Sequence, residues 1–490
     1  MKKIKFFSLV AVFVISLLVL SACGGDNNDP APADTVTPTP SDDNGGDIDT
    51  NFTGLPPMTT EEITLSIMTW ENWYLSYFLA RRFEELHPNI TVDLIHHGIY
   101  YYNDSLFNLA SAGELPDVFW YLGNITVPLE NFWLGDFAEF FDADPETAYF
   151  PASLRDAGTL GSGRFATPSK VLPFAFFLDR AVFERHNEPM PSLNWTWSEM
   201  VETARRMAIP EADRPVFGFH PFTQLHTTGP IVNQDAIGEF GWNGSEFDFS
   251  GFADAIELEQ DFRRTGVWPP GYNTPEREAA FGDATMWPAI SGQLAMQKDA
   301  IWTANYFSQP HFIDRGIDWV IYPMPRGDNA QTDNKPAFID FGGISSVTAH
   351  PREAYELLKF FGWGLDGWNA RIEAYTTLEN AAGYPVFPIT PDAVPILQHP
   401  GLWADFRQLV PQTPEWMNFL DSVQSPVPLG ASYIPGFEAF IQWMHEQDIF
   451  GSLYRDEQRA HDLQDHITEN ANRFVREETE RLARLLGVDN

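Results

Sequence analysis

Residues 63–95, "ITLSIMTWENWYLSYFLARRFEELHPNITVDLI", decide the fold class. Ile63, Leu65 and Ile67 alternate with Thr64, Ser66 and Met68, which is the period of a strand. After Trp73 the period lengthens, and Leu75, Phe78, Leu79, Phe83 and Leu86 share one face of a helix that His87-Pro88 ends. "NITVDLI" then reads as a second strand and "PDVFWYL", residues 116–122, as a third. Strand, helix, strand, helix, strand is an α/β order with a mostly parallel sheet flanked by helices. Ligands of open α/β sheets sit outside the carboxyl ends of the strands. That rule points to "WENW" (Trp70–Trp73) and "WYLGN" (Trp120–Asn124) as a crevice.

Downstream, "NWTWSEMVETARRM" opens a helix with a capping box, Thr196 followed three residues later by Glu199. "DFSGFADAIELEQDFRRTG" is a helix ended by Gly266. "HPREAYELLKFFGWG" is another, with Pro351 in its first turn and Ala354, Leu357, Leu358 and Phe361 inward. A long terminal helix carries Leu463, Ile467, Ala471 and Phe474, and no internal repeat is present.

Upstream, Lys2, Lys3 and Lys5 precede an apolar run to residue 20 and the small Ser21 and Ala22, the layout of a secretory signal over residues 1–22. Leu20-Ser21-Ala22-Cys23 resembles the bacterial lipobox, which implies a lipid thioether on Cys23, the only cysteine, and attachment to the extracellular face of the cytoplasmic membrane. No internal disulfide is then possible. Residues 23–58, rich in Gly, Pro, Asp, Asn and Thr, read as a disordered tether. Its "DDNGGDID" lacks the closing glutamate of a calcium loop. Without the three signal lysines, 27 basic residues face 68 acidic ones, a formal charge near −41, which excludes nucleic acid as a partner.

From about residue 60 to 365 the order "ITLSIMTW", "ARRFEELHPNITVDLI", "SAGELPDVFW", "RFATPSKVLPFAFFLDRAVF", "TWSEMVETARRM", "GQLAMQKDAIW", "WVIYPMPRGD" and "GGISSVTAHPREAYELLKFF" resembles the bacterial extracellular solute-binding proteins of the sugar-binding class, distant relatives of maltose-binding protein that serve ABC importers. The resemblance implies two α/β lobes, a type II binding-protein fold, crossed three times near Thr167, Gln297 and Gly362. One lobe is expected to hold residues 59–167 plus 298–362, the other 168–297 plus 363–490. It further implies a monomeric carrier without cofactor that hands its cargo to the importer's permease subunits. Asp299-Ala300-Ile301-Trp302 and Leu178-Asp179-Arg180 depart from the family pattern, so the cargo is not inherited.

Aromatic residues interleaved with carboxylates and amides suit a sugar, whose apolar C–H face lies on an indole while its hydroxyl edge seeks polar partners. Trp70, Glu71, Asn72, Trp73, Tyr101, Trp120, Asn124 and Trp302 are the candidate ligand-binding residues, and an oligosaccharide is the expected cargo. A polyamine is the alternative cargo for an acid-rich aromatic pocket, and anionic cargo is disfavoured because "WENW", "GIYYYND" and "WYLGN" contain no Lys or Arg. A secreted glycosidase would need two carboxylates at a set separation, which sequence cannot measure. The chain contains no serine-hydrolase elbow, H-E-x-x-H or P-loop. "GWGLDG" at 362–367 follows a helix instead of a strand and is no dinucleotide fingerprint. His96-His97 and the pair His220 and His226 lack a third spaced ligand and read as structural, with no metal or catalytic residue assigned.

Overall fold

The computed structural model describes residues 54–121, 123, 125–381, 391–430 and 433–488; the signal, Cys23, the tether up to residue 53, and Asn124 lie outside the described residues. Residues 54–58, expected in the tether, join the folded body. Leu55 is buried in the core and the carbonyl of Pro56 accepts a hydrogen bond from Arg352 at 2.9 Å. Thr53–Asn490 form one compact unit.

The strands are β1 (Ile63–Thr69), β2 (Ile90–His96), β3 (Val118–Tyr121), β4 (Thr159–Leu160), β5 (Gly163–Arg164), β6 (Thr167–Asp179), β7 (Phe217–Pro221), β8 (Leu294–Ala300), β9 (Trp319–Pro323), β10 (Lys335–Ile344) and β11 (Pro426–Leu429). All but the β4–β5 hairpin belong to one sheet of order β2-β1-β3-β10-β6-β8-β7, with β11 added on β10 and β9 on β6. The first three strands pair in parallel, Ile63 opposite Ile90 and Ile67 opposite Val118, as the strand–helix–strand reading requires. β7 and β8 form a second parallel pair.

Antiparallel pairings join these two parallel runs, and β6 is the joint. Its residues from Thr167 to Pro173 pair with β10, and those from Phe174 onward pair with β8 and β9. All thirteen residues of β6 are buried. Pro168 and Pro173 cannot donate to a ladder. Pro168 flanks a register shift between β6 and β10, and Pro173 sits where β6 changes partners.

Helices cover the faces. Helix Trp73–Leu86 buries Leu75, Leu79 and Phe83 as its period requires, but Phe78 is half-buried and Leu86 is exposed, because the helix ends there at His87. The capping box of Thr196 and Glu199 forms. Residues after Gly362, expected with the second lobe, instead place helix Leu365–Ala381 against helices Trp73–Leu86 and Pro351–Phe361. Arg82 Nε anchors it to Glu373 at 3.1 Å.

The terminal helix Ala460–Leu486 contributes to two separate hydrophobic clusters. Ile467, Ala471 and Val475 pack with Phe247, Phe437 and Phe440, while Leu482 packs with Trp120, Tyr121 and Phe341. No described helix is long and apolar enough to cross a membrane.

Candidate functional site

β10 is buried along its length except at Phe338, Ile339 and Asp340, which are half-buried. Alternation puts Phe338 and Asp340 on one face of the strand, and cross-strand pairing sets Lys170 of β6 opposite Asp340. The register shift falls immediately beyond Asp340; such irregularities bend a strand and re-aim its side chains.

Two tryptophans flank this face. Trp70, just past the end of β1, lies beside Asp340, whose charged form its indole N–H favours, and stands edge-on to Tyr102 and Trp120, with centroids 4.7 and 5.2 Å away. Trp302, just past β8, stacks on Phe338 at 5.5 Å and 15° and meets the exposed Phe222 edge-on at 5.6 Å. Both tryptophans are half-buried, so each retains accessible ring surface.

Beneath the face lies a closed ionic network. Glu71 accepts two hydrogen bonds from Arg371, at 2.5 and 2.8 Å, the bidentate geometry of a strong ion pair. Lys170 lies 3.5 Å from Glu71 and donates to Asp392 at 2.9 Å; Tyr375 also donates to Asp392, at 3.2 Å. Burial alone would lower Lys170, but Asp392, Glu71 and Asp340 hold it above the usual lysine range. Burial likewise opposes ionisation of Asp392, and Lys170 and Arg371 overcome it, holding that carboxyl low. Asp340 is the exception. Burial, reinforced by the negative charges of Glu71 and Asp392, outweighs Lys170 and raises it to about 7. The result is one half-buried, weakly acidic carboxyl beside an indole, with the other two carboxylates paired with cations.

A second polar group lies at β8. Burial raises Asp299 to about 7 and lowers Lys298 to about 7, and Lys298 donates to Thr228 Oγ1 at 2.9 Å and the Gln224 carbonyl at 3.1 Å.

The sequence candidates separate into three groups. Trp70 and Trp302 come to the β10 face. Trp73 and Tyr101 are 48% and 72% exposed and lie on the outer side of the β1 end. The remaining described candidates have structural work: Trp120 has no exposed surface, Glu71 is consumed by Arg371 and Lys170, and the Asn72 carboxamide oxygen caps helix Trp73–Leu86 by accepting from the Tyr74 and Leu75 N–H groups. Asp340, Phe338 and Lys170 were missed. Lys170 and Asp340 lie in long strands, "TPSKVLPFAFFLD" and "KPAFIDFGGI", where an interior charge amid largely apolar neighbours is the available signal.

The histidines are also engaged. His96 Nε2 lies 2.6 Å from the Glu71 carbonyl, His220 Nδ1 2.9 Å from Gln297, and His226 Nδ1 3.1 Å from Glu259. Among the described residues no three metal-ligating side chains converge.

The sequence matches the family described as bacterial extracellular solute-binding protein over residues 71–362. No curated protein matches it. Similar solved structures include a sugar transporter from Rhizobium etli in an open conformation (15% identity, TM-score 0.61, covering 83% of this chain and 98% of that one). An ABC substrate-binding protein of Listeria monocytogenes in complex with cycloalternan matches at 13% identity and TM-score 0.59, over 88% of this chain and 100% of that one. The sugar-binding protein MalE of Xanthomonas citri matches at 16% identity and TM-score 0.58, over 87% and 100%. At these identities the likeness shows the fold, the two-lobed type II binding-protein fold.

Proposed function

The chain belongs to the bacterial extracellular solute-binding protein family, and on that premise we propose that it captures a neutral oligosaccharide between its lobes and delivers it to an ABC-type importer. The observation that carries this reading is the half-buried β10 face, where Trp70 lies beside Asp340 and Trp302 stacks on Phe338, two residues away on the same face. A sugar ring stacks on the indoles and donates a hydroxyl to Asp340, with the exposed Asn72 at the rim. The neutralisation of Glu71 and Asp392 by Arg371 and Lys170 favours neutral cargo over a polyamine. Among the described residues it also leaves Glu71 and Asp392, the carboxylates nearest Asp340, engaged by cations and not free to act as a glycosidase partner, which supports a carrier over an enzyme. The cycloalternan bound to the Listeria protein and the description of the Xanthomonas protein as sugar-binding support the same cargo class.

In this reading β6 and β10 are crossing strands about which the lobes close. Cys23 carries the lipid that holds a monomer at the outer face of the cytoplasmic membrane. Calorimetry with a panel of oligosaccharides and spermidine, at low and high salt, tests it. Sugar binding that is insensitive to salt and lost in Trp70→Ala and Trp302→Ala is expected. Binding of spermidine alone, weakening steeply as salt shortens the Debye length below about 8 Å, would sink the sugar reading, and steady cleavage of an oligosaccharide would make the protein an enzyme.

A further inference from the structure

An exposed aromatic surface begins where the β10 face ends. Trp73, Tyr77, Tyr100 and Tyr101 are 48, 56, 62 and 72% exposed. Trp73 and Tyr77, one helical turn apart, stack with centroids 6.5 Å apart and an interplanar angle of 27°. The Trp73 ring meets His96, the last residue of β2, edge-on at 5.4 Å, and that imidazole is fixed to the Glu71 carbonyl. Tyr100 and Tyr101 follow in the short turn Ile99–Tyr101.

These rings are not displayed by a slack loop. Tyr102, the next residue, is fully buried with its hydroxyl 2.8 Å from the carbonyl oxygens of both Met68 and Trp120, and Ser105 Oγ lies 3.2 Å from His97 Nδ1. The turn is therefore pinned to the ends of β1, β2 and β3, and the aromatic side chains are held outward by a rigid base.

Single exposed aromatics are ordinary, whereas several on adjoining elements mark a surface that something covers. Its chemistry limits the occupant. Residues 70–80 and 96–108 contain no Lys or Arg, and Arg81, one helical turn beyond Tyr77, is paired with Glu84 at 2.7 Å, so in a chain of formal charge −38 anionic headgroups and phosphates meet little free counter-charge there. Flat π faces with phenol hydroxyls, bordered by the exposed Asn72 and Asp104, match the C–H face and hydroxyl edge of a pyranose. Trp70, which lies beside Asp340, stands three residues before Trp73 and edge-on to Tyr102, the residue that follows Tyr101.

We propose that this surface is an outer subsite for the continuation of a linear neutral glycan whose other end lies at Asp340, Trp70 and Trp302, so that the cargo class is a chain long enough to span both. The inference rests on the carbohydrate reading given above.

The test is calorimetric titration of graded linear gluco-, xylo- and manno-oligosaccharides, from disaccharides to long chains, into the wild-type protein and Tyr77→Ala/Tyr100→Ala. Both tyrosines are exposed, so folding is not at stake. Affinity of the wild type is expected to rise with chain length, and the double variant to lose about tenfold for long chains while its short-chain affinity is unchanged. Identical length dependence in both proteins overturns the outer subsite while leaving the carbohydrate reading intact. Absence of binding by any saccharide overturns the carbohydrate reading and the subsite with it. A variant that binds every length normally but no longer supports uptake by cells overturns the subsite in favour of a docking face for the transporter's membrane subunits.

Discussion

Replacing Arg371 by methionine tests whether the network under the site is held by its charges. Glu71 and Arg371 are each 2% exposed and meet through two hydrogen bonds. Without the guanidinium, Glu71 retains only Lys170, 3.5 Å away and already engaged by Asp392 at 2.9 Å. Stranding a buried charge costs about 3–5 kcal/mol, and the Phe361 carbonyl, which also accepts from Arg371, loses a partner worth about 1 kcal/mol. Glu71→Leu/Arg371→Met removes both charges and leaves the Lys170–Asp392 pair intact. Such double replacements are commonly near neutral, so the double variant is expected within about 1–2 kcal/mol of wild type. Urea unfolding midpoints, compared where the m-values agree, give both differences. A double variant that costs as much as or more than Arg371→Met alone would refute the reasoning, because the loss would then come from packing and not from an orphaned carboxylate.

Asp340 makes stability depend on pH in a defined direction. Its folded pKa of about 7 exceeds the ordinary 3.8, so between those values the folded protein alone holds the proton, and this contribution is lost as pH rises through 7. Asp340→Asn should therefore gain thermal stability relative to wild type between about pH 5 and about pH 8; an unchanging difference would argue against it. Leu482→Ala, which opens space beside Trp120 and Tyr121, should cost about 2–5 kcal/mol in chemical unfolding, while Leu485→Ala, at a position 42% exposed, should cost little. Equal effects would remove the terminal helix as a bridge between the two clusters. Cys23→Ala should abolish incorporation of labelled fatty acid and release the protein from membranes, and retention of the label would refute the anchor.

The parts of the fold legible in the sequence are those set by local period. β1, helix Trp73–Leu86 and β2 follow from alternation giving way to a helical repeat, and the box at Thr196 follows from two side chains three residues apart. The ionic network was not legible, because its members are 300 residues apart for Glu71 and Arg371 and 222 for Lys170 and Asp392. Nothing within a short window tells a carboxylate that will meet an arginine from one that will face a ligand. Glu71 and Asp340 show this: the sequence candidate Glu71 is buried in ion pairs with Arg371 and Lys170, whereas the unflagged Asp340 is half-buried on the β10 face. Trp120 shows the same limit for aromatics. It ends up in the core because Gly342, its cross-strand partner, has no side chain and leaves the indole room to fill: a Cβ on Gly342 would lie 2.7 Å from the Trp120 ring. A glycine on β10 thus leaves room for one tryptophan in the core, while two residues earlier on the same strand Asp340 lies beside the second, Trp70, which stays half-buried. How deeply each tryptophan is buried thus depends on residues more than 200 positions away from both.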